Sequence, residues 1–94
     1  GIEVEILGVI KRNPTQLDLE QLKKELEAKG VKAEWKIISE KNGNIEAFEG
    51  KLHDKNNDCH FKTDKFSDII IFRSKDKQGK TNLLIRIDEG QKRS

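Results

Sequence analysis

His53, Asp54, Asp58, Cys59 and His60 fall within eight residues and supply imidazole, carboxylate and thiol, the donor types that zinc accepts. Structural zinc sites usually draw paired ligands, about two to four residues apart, from two separated clusters, whereas this chain offers one cluster and one cysteine. On a strand, the adjacent Cys59 and His60 would also point to opposite faces. No metal ligand and no cofactor are assigned on this basis. Cys59, Ser39, Ser67 or Ser74 could act as a nucleophile beside His53 or His60, but no spacing selects a pair and no Gly-x-Ser-x-Gly elbow exposes a serine. The sequence therefore names no catalytic residue, and a non-enzymatic role is expected.

Two segments resemble parts of known motifs. Ser74-Lys75-Asp76-Lys77-Gln78-Gly79-Lys80-Thr81 resembles the second half of a phosphate-binding loop. Its first glycine is replaced by Ser74, Asp76 would repel an anion, and the residues that follow read as a strand where the motif needs a helix. A solvated hairpin tip is expected instead. Asp68 and the charged residues of the next strand are similar in layout to nucleases of the PD-(D/E)xK type. However, Arg86-Ile87-Asp88 reverses acid and base, and Glu34-Trp35-Lys36 precedes Asp68 in the chain. A hard cation would lack its second aligned carboxylate.

The net charge of +2 hides an asymmetry: residues 1–50 carry eight Lys/Arg and ten Asp/Glu, and residues 51–94 carry eleven and seven. Lys51, Lys55, Lys62, Lys65, Arg73, Lys75, Lys77, Lys80 and Arg86, with Lys92 and Arg93, are the candidate contacts of a partner or a nucleic acid. Phe61 and Phe66, next to Lys62 and Lys65, invite comparison with sheets that stack bases between cations. Interleaved aspartates blunt that field, and with four phenylalanines and one tryptophan the rings are needed in a core.

The positioning elements are clearer than the chemistry. Ile69-Ile70-Ile71-Phe72 reads as a central strand covered on both faces, within Phe66 to Ser74, with Thr81 to Asp88 as its antiparallel neighbour. Ile2, Val4 and Ile6 alternate with Glu3 and Glu5, predicting a half-buried strand over residues 2–10 with the isoleucine and valine side inward; Gly8 marks a bulge or a close approach. Asp18 is the expected cap of a helix over residues 19–29, with Leu17 stapled to Leu22, Leu19, Leu22 and Leu26 facing the core, and Gly30 as the stop. Val31 to Ile37 alternates again, and Asn42-Gly43 predicts a type I′ hairpin that sets Ile37 opposite Phe48 and Ile38 opposite Ala47. Residues 50–58 read as the longest, most mobile loop, Cys59 to Thr63 as a short edge strand, and 90–94 as a flexible tail.

Ninety-four residues fit one domain, consistent with a piece cut from a longer protein. No apolar run approaches the about 18 residues that cross a bilayer, so the chain reads as soluble, and a lone cysteine fits a cytoplasmic or other intracellular setting. The expected fold is α+β, a single helix packed across a mostly antiparallel sheet of four to six strands in the order β-α-β-β-(β)-β-β. Cystatin-like folds share this order of elements, and the likeness ends there. The expected function is a small non-enzymatic module that binds a protein partner, using Asn42 and Gly43 at the hairpin tip among its contacts, with self-association through an edge strand as a further route. The alternative is a nucleic-acid-binding domain that uses the basic carboxy-terminal half.

Overall fold

The computed structural model describes residues 2–88, so the expected tail and the cations Lys92 and Arg93 lie outside the described residues. One helix and six strands follow in the expected order: β1 (Glu3–Ile10), α1 (Gln16–Ala28), β2 (Lys32–Lys41), β3 (Asn44–His53), β4 (Asp58–Thr63), β5 (Ile69–Lys75) and β6 (Thr81–Ile87). The fold is α+β with antiparallel pairing, as the sequence predicts, but the strands form two three-stranded sheets, β1-β5-β6 and β2-β3-β4. The helix packs on β1 of one sheet and β2 of the other, and β4 approaches β6.

The helix begins three residues earlier than its periodicity suggests. Thr15, not Asp18, is the N-cap: its hydroxyl accepts from the Asp18 amide at 3.1 Å while the Asp18 carboxylate accepts from the Thr15 amide at 2.9 Å. Aspartate thus does the work of the usual Glu at the third helical position. Leu17 consequently falls inside the first turn and is exposed, so it staples nothing. At the other end Gly30 adopts φ +83°, its amide bonds the Glu27 carbonyl at 3.0 Å, and the Val31 amide bonds the Leu26 carbonyl at 2.9 Å. This is a Schellman stop, sealed by the fully buried Val31 and Leu26.

The Asn42-Gly43 turn has positive φ at both residues, 55° and 83°, and Ile37 faces Phe48 as expected. Ile38 does not face Ala47. The register shifts on both sides of Ser39, which takes that place and leaves Ile38 exposed. The tip is anchored to the start of the helix, since the Ile45 amide bonds the Pro14 carbonyl at 2.7 Å and Asn44 Nδ2 bonds the Asn13 carbonyl at 2.6 Å.

Residues 50–58 are not one long loop. β3 continues to His53, with Gly50 and Leu52 inward and Lys51 and His53 outward, so only 54–57 turn. Gly50 hides the alternation because it contributes no side chain. A Cβ there would stand 2.5 Å from the Phe61 ring and 3.0 Å from Trp35, so the bare backbone is what lets both rings close over the sheet. The turn itself is tight: Asp54 Oδ1 accepts from the amides of Asn56 and Asn57 at 3.0 and 2.8 Å.

The core joins all these elements. Phe48 is fully buried and meets Trp35, Phe61 and Phe66 edge-on, with centroids 6.1, 5.5 and 5.6 Å apart. Leu7 and Ile10 of β1, Leu19, Leu22 and Leu26 of α1, Ile69 and Ile71 of β5, and Leu83 of β6 belong to the same cluster. Trp35 Nε1 donates to the Leu19 carbonyl at 2.9 Å, which ties sheet to helix.

Candidate interaction surface

β1 reverses its expected orientation. Leu7 and Ile10 are buried, whereas Val4 and Ile6 are each 61% exposed and Ile2 is also exposed. The ladder with β5 slips between Ile6 and Gly8, so Leu7 is an extra residue and both it and Gly8 lie on the inner side. Gly8 is needed there because a Cβ would meet Leu22 Cδ1 at 2.5 Å. Even-numbered residues before the bulge therefore point outward, and the apolar side of the alternation faces solvent.

The register extends this surface across the sheet. Ile6, Phe72 and Leu84 stand in one cross-strand row, Val9, Ile70 and Arg86 in the next, and Val4, Ser74 and Asn82 on the other side. Leu84 is 41% exposed, and the half-buried Ile70 and Phe72 are not packed against the core cluster. The expectation that β5 is covered on both faces therefore holds for one: Ile69 and Ile71 turn inward, Ile70 and Phe72 outward. Position in the middle of a sheet protects the backbone of β5 without covering its second face.

Outward residues of β2-β3-β4 are of another kind. Their rows read Lys32, His53, Asp58; then Glu34, Lys51, His60; then Lys36, Glu49, Lys62. His60 Nε2 lies 3.2 Å from Glu49 Oε2, and this hydrogen bond holds the Glu49 carboxyl below its usual range. Lys51 and Lys62, two of the proposed phosphate contacts, are set among Glu34, Glu49 and Asp58 on this face.

The other expected cations are dispersed. Lys55 is in the β3–β4 turn, Lys65 in the β4–β5 connection, Lys75 at the end of β5, and Lys77 and Lys80 in the β5–β6 turn. Arg73 is turned inward, 3.6 Å from Asp54 and donating to the Lys29 carbonyl at 3.3 Å; Arg86 is paired with Asp88 at 3.0 Å. Phe61 and Phe66, considered as stacking rings, instead contact Phe48, and the phenylalanine on the outward side of β5 is the half-buried Phe72. In the β5–β6 turn the Asp76 carboxylate accepts from the amides of Gln78 and Lys80, both at 2.9 Å, so the groups that would wrap a phosphate are already occupied.

The His/Cys/Asp segment is also dispersed. Cys59 leans on the core, and burial pushes its thiol pKa up; His60 lies on the opposite face, and Asp54 is engaged with Asn56, Asn57 and Arg73. Among the described residues no group of three or more His, Cys, Asp or Glu side chains is arranged to hold a metal ion. A hollow of about 240 Å³ lined by Glu34, Lys51, Leu52, His53, Asp58, Cys59 and His60 is open to solvent. Asp68 precedes β5 while Glu34 and Lys36 are on the other sheet, so the nuclease layout is not assembled. Asn42 and Gly43 are exposed at their tip. No helix among the described residues is long and apolar enough to cross a membrane. Comparison with protein-family models, curated proteins and solved structures yields no significant match.

The apolar outward face was legible in part. The alternation of Ile2, Val4 and Ile6 was visible, but its direction depended on a one-residue slip at Leu7-Gly8. The run Ile69 to Phe72, apolar at every position, was the second signal: it required cover on both faces, and this chain supplies cover for one.

Proposed function

We propose that this domain is a non-enzymatic binding module whose protein partner covers the outward face of the β1-β5-β6 sheet. The observation that carries this reading is the row Ile6, Phe72, Leu84 with Val4 and Val9 beside it, an apolar surface that the core does not use. Contiguous apolar surface on a folded domain is where association releases the most ordered water, at about 25 cal/mol per Å² removed from solvent. The hollow that gathers Glu34, His53, Asp58, Cys59 and His60 is open to solvent, and burial raises the Cys59 thiol pKa instead of activating it, which supports binding over catalysis. A nucleic-acid partner gains little support, because the cations are spread over several elements and interleaved with acids. The free Cys59 thiol supports an intracellular setting.

Site-directed photocross-linking tests the reading. A photoreactive residue at position 6 is expected to trap one defined polypeptide from the source cell, and one at position 36, on the charged sheet, to trap none. The variant Val4→Thr/Ile6→Thr/Leu84→Thr keeps strand preference and charge while removing apolar surface. It is expected to lose the complex. Equal trapping from both positions, or retention of the complex by the variant, contradicts the proposal.

A further inference from the structure

The same sheet offers more than a face, because the first half of β1 is an open edge. Strand β1 is the outer strand of its sheet and pairs with β5 on one side. Among the described residues, Glu3 to Ile6 make no backbone hydrogen bond beyond that ladder. Obstruction of the edge starts at Leu7, whose carbonyl accepts from Lys29 Nζ at 2.8 Å, and continues at Gly8, which lies against Leu22 of α1. The edge of β2 is blunted differently, by the register shifts on either side of Ser39. Glu3 to Ile6 has no bulge, proline or lysine.

What could occupy this edge is constrained by charge. Glu3 and Glu5 are exposed and, among the described residues, lie in no ion pair. Their ladder neighbours are Lys75 and Arg73, and Arg73 is drawn away to Asp54 and the Lys29 carbonyl. Residues directly opposite in an antiparallel pair share a face, so a second copy pairing symmetrically about Val4 would set Glu3 against Glu5, and about Glu5 would set that residue against itself. Symmetric pairing about Ile6 would run into the obstruction at Leu7 and Gly8. The edge thus disfavours its own copy and favours cations on the acidic side with apolar groups on the other.

Building on the binding reading above, we infer that Glu3 to Ile6 accepts an extended segment of the partner as a fourth strand of the β1-β5-β6 sheet. In that segment apolar residues alternate with Lys or Arg. Its main chain completes the ladder, its apolar residues extend the Val4 and Ile6 surface, and its cations meet Glu3 and Glu5.

The test uses the folded chain, isotope-labelled for NMR, and two heptapeptides, one alternating Lys and Val and one alternating Glu and Val. The Lys-Val peptide is expected to bind and slow amide exchange within Glu3 to Ile6, and the Glu-Val peptide to bind at least about tenfold more weakly. That factor follows from two cross-strand pairs that change from attraction to repulsion. Glu3→Gln/Glu5→Gln, at exposed positions, removes the two charges without setting like charges opposite Lys75 and Arg73, and should abolish the preference while moving the unfolding midpoint little. Equal binding of both peptides, protection elsewhere than β1, dimerisation of the free protein through β1, or displacement of the Lys-Val peptide by lipid vesicles that bind the outward face would each overturn the inference. If position 6 still traps a partner but the Lys-Val peptide leaves the edge amides unprotected, strand addition fails and the binding reading stands. If the peptide binds the edge but the threonine variant keeps its partner, the reading of the face fails instead.

Discussion

The two sheets turn similar faces inward and opposite ones outward. Inward, β2-β3-β4 contributes Phe48, Leu52 and Phe61 while β1-β5-β6 contributes Leu7, Ile69, Ile71 and Leu83, all in one cluster. Outward, the first sheet sets lysines beside Glu34, Glu49 and Asp58, whereas the second sets Ile6 beside Phe72 and Leu84. Charged rows of mixed sign remain hydrated and contribute little to stability. Apolar rows of the same size would lower the free energy further if covered. The difference separates what the chain uses to fold from what it leaves for another molecule.

The largest expected effect breaks the shared inner core. Phe48 touches Trp35, Phe61 and Phe66, so Phe48→Ala should remove about 3–5 kcal/mol from unfolding in urea, with both sheets lost in one transition. Separate transitions for residues of the two sheets would show that they do not share that core. Next, Gly50→Val would drive a side chain into the Phe61 ring and Trp35, and should destabilise by about 1–3 kcal/mol in thermal unfolding. An unchanged midpoint would mean that the rings do not close over Gly50.

A smaller effect sharpens the contact between the sheets. The Asp54 side chain, 8% exposed, faces Arg73 of the other sheet at 3.6 Å. Burial acts to raise its pKa, but hydrogen bonds from Asn56 and Asn57, with Arg73, outweigh it and hold the carboxyl below its usual range. A carboxylate lowered by folding stabilises the fold above its unfolded pKa, and that contribution disappears as pH falls through the folded value. Asp54→Ala should therefore cost about 1–2 kcal/mol at neutral pH, and the gap from the unaltered protein should narrow in acid. A gap that stays constant into acid would contradict this assignment.

The element order, the Gly30 stop, the Asn42-Gly43 turn and the helix stripe were all written locally, in residues a few positions apart, and they are where the sequence is easiest to read. Three features were not. Thr15 acquires its capping role from an aspartate that is itself a good cap, so the helix start shifted by three residues. Gly50 occupies an inward position without a side chain, and β3 looked like a loop. The bulge at Leu7 decides which side of β1 is inward, and a two-residue period is symmetric with respect to that choice. That last ambiguity concealed the candidate surface, because its residues have the composition of a core strand and only tertiary packing reveals that nothing in the described chain covers them.

The most direct measurement is also the one with the smallest expected effect: the unfolding free energy of Val4→Thr/Ile6→Thr/Leu84→Thr set against that of the unaltered chain. If the outward face of β1-β5-β6 is surface kept for a partner, each substitution should change stability by no more than about 0.5 kcal/mol. A loss of several kcal/mol, on the scale of a buried leucine reduced to alanine, would show that this face belongs to the folding core and would contradict the account.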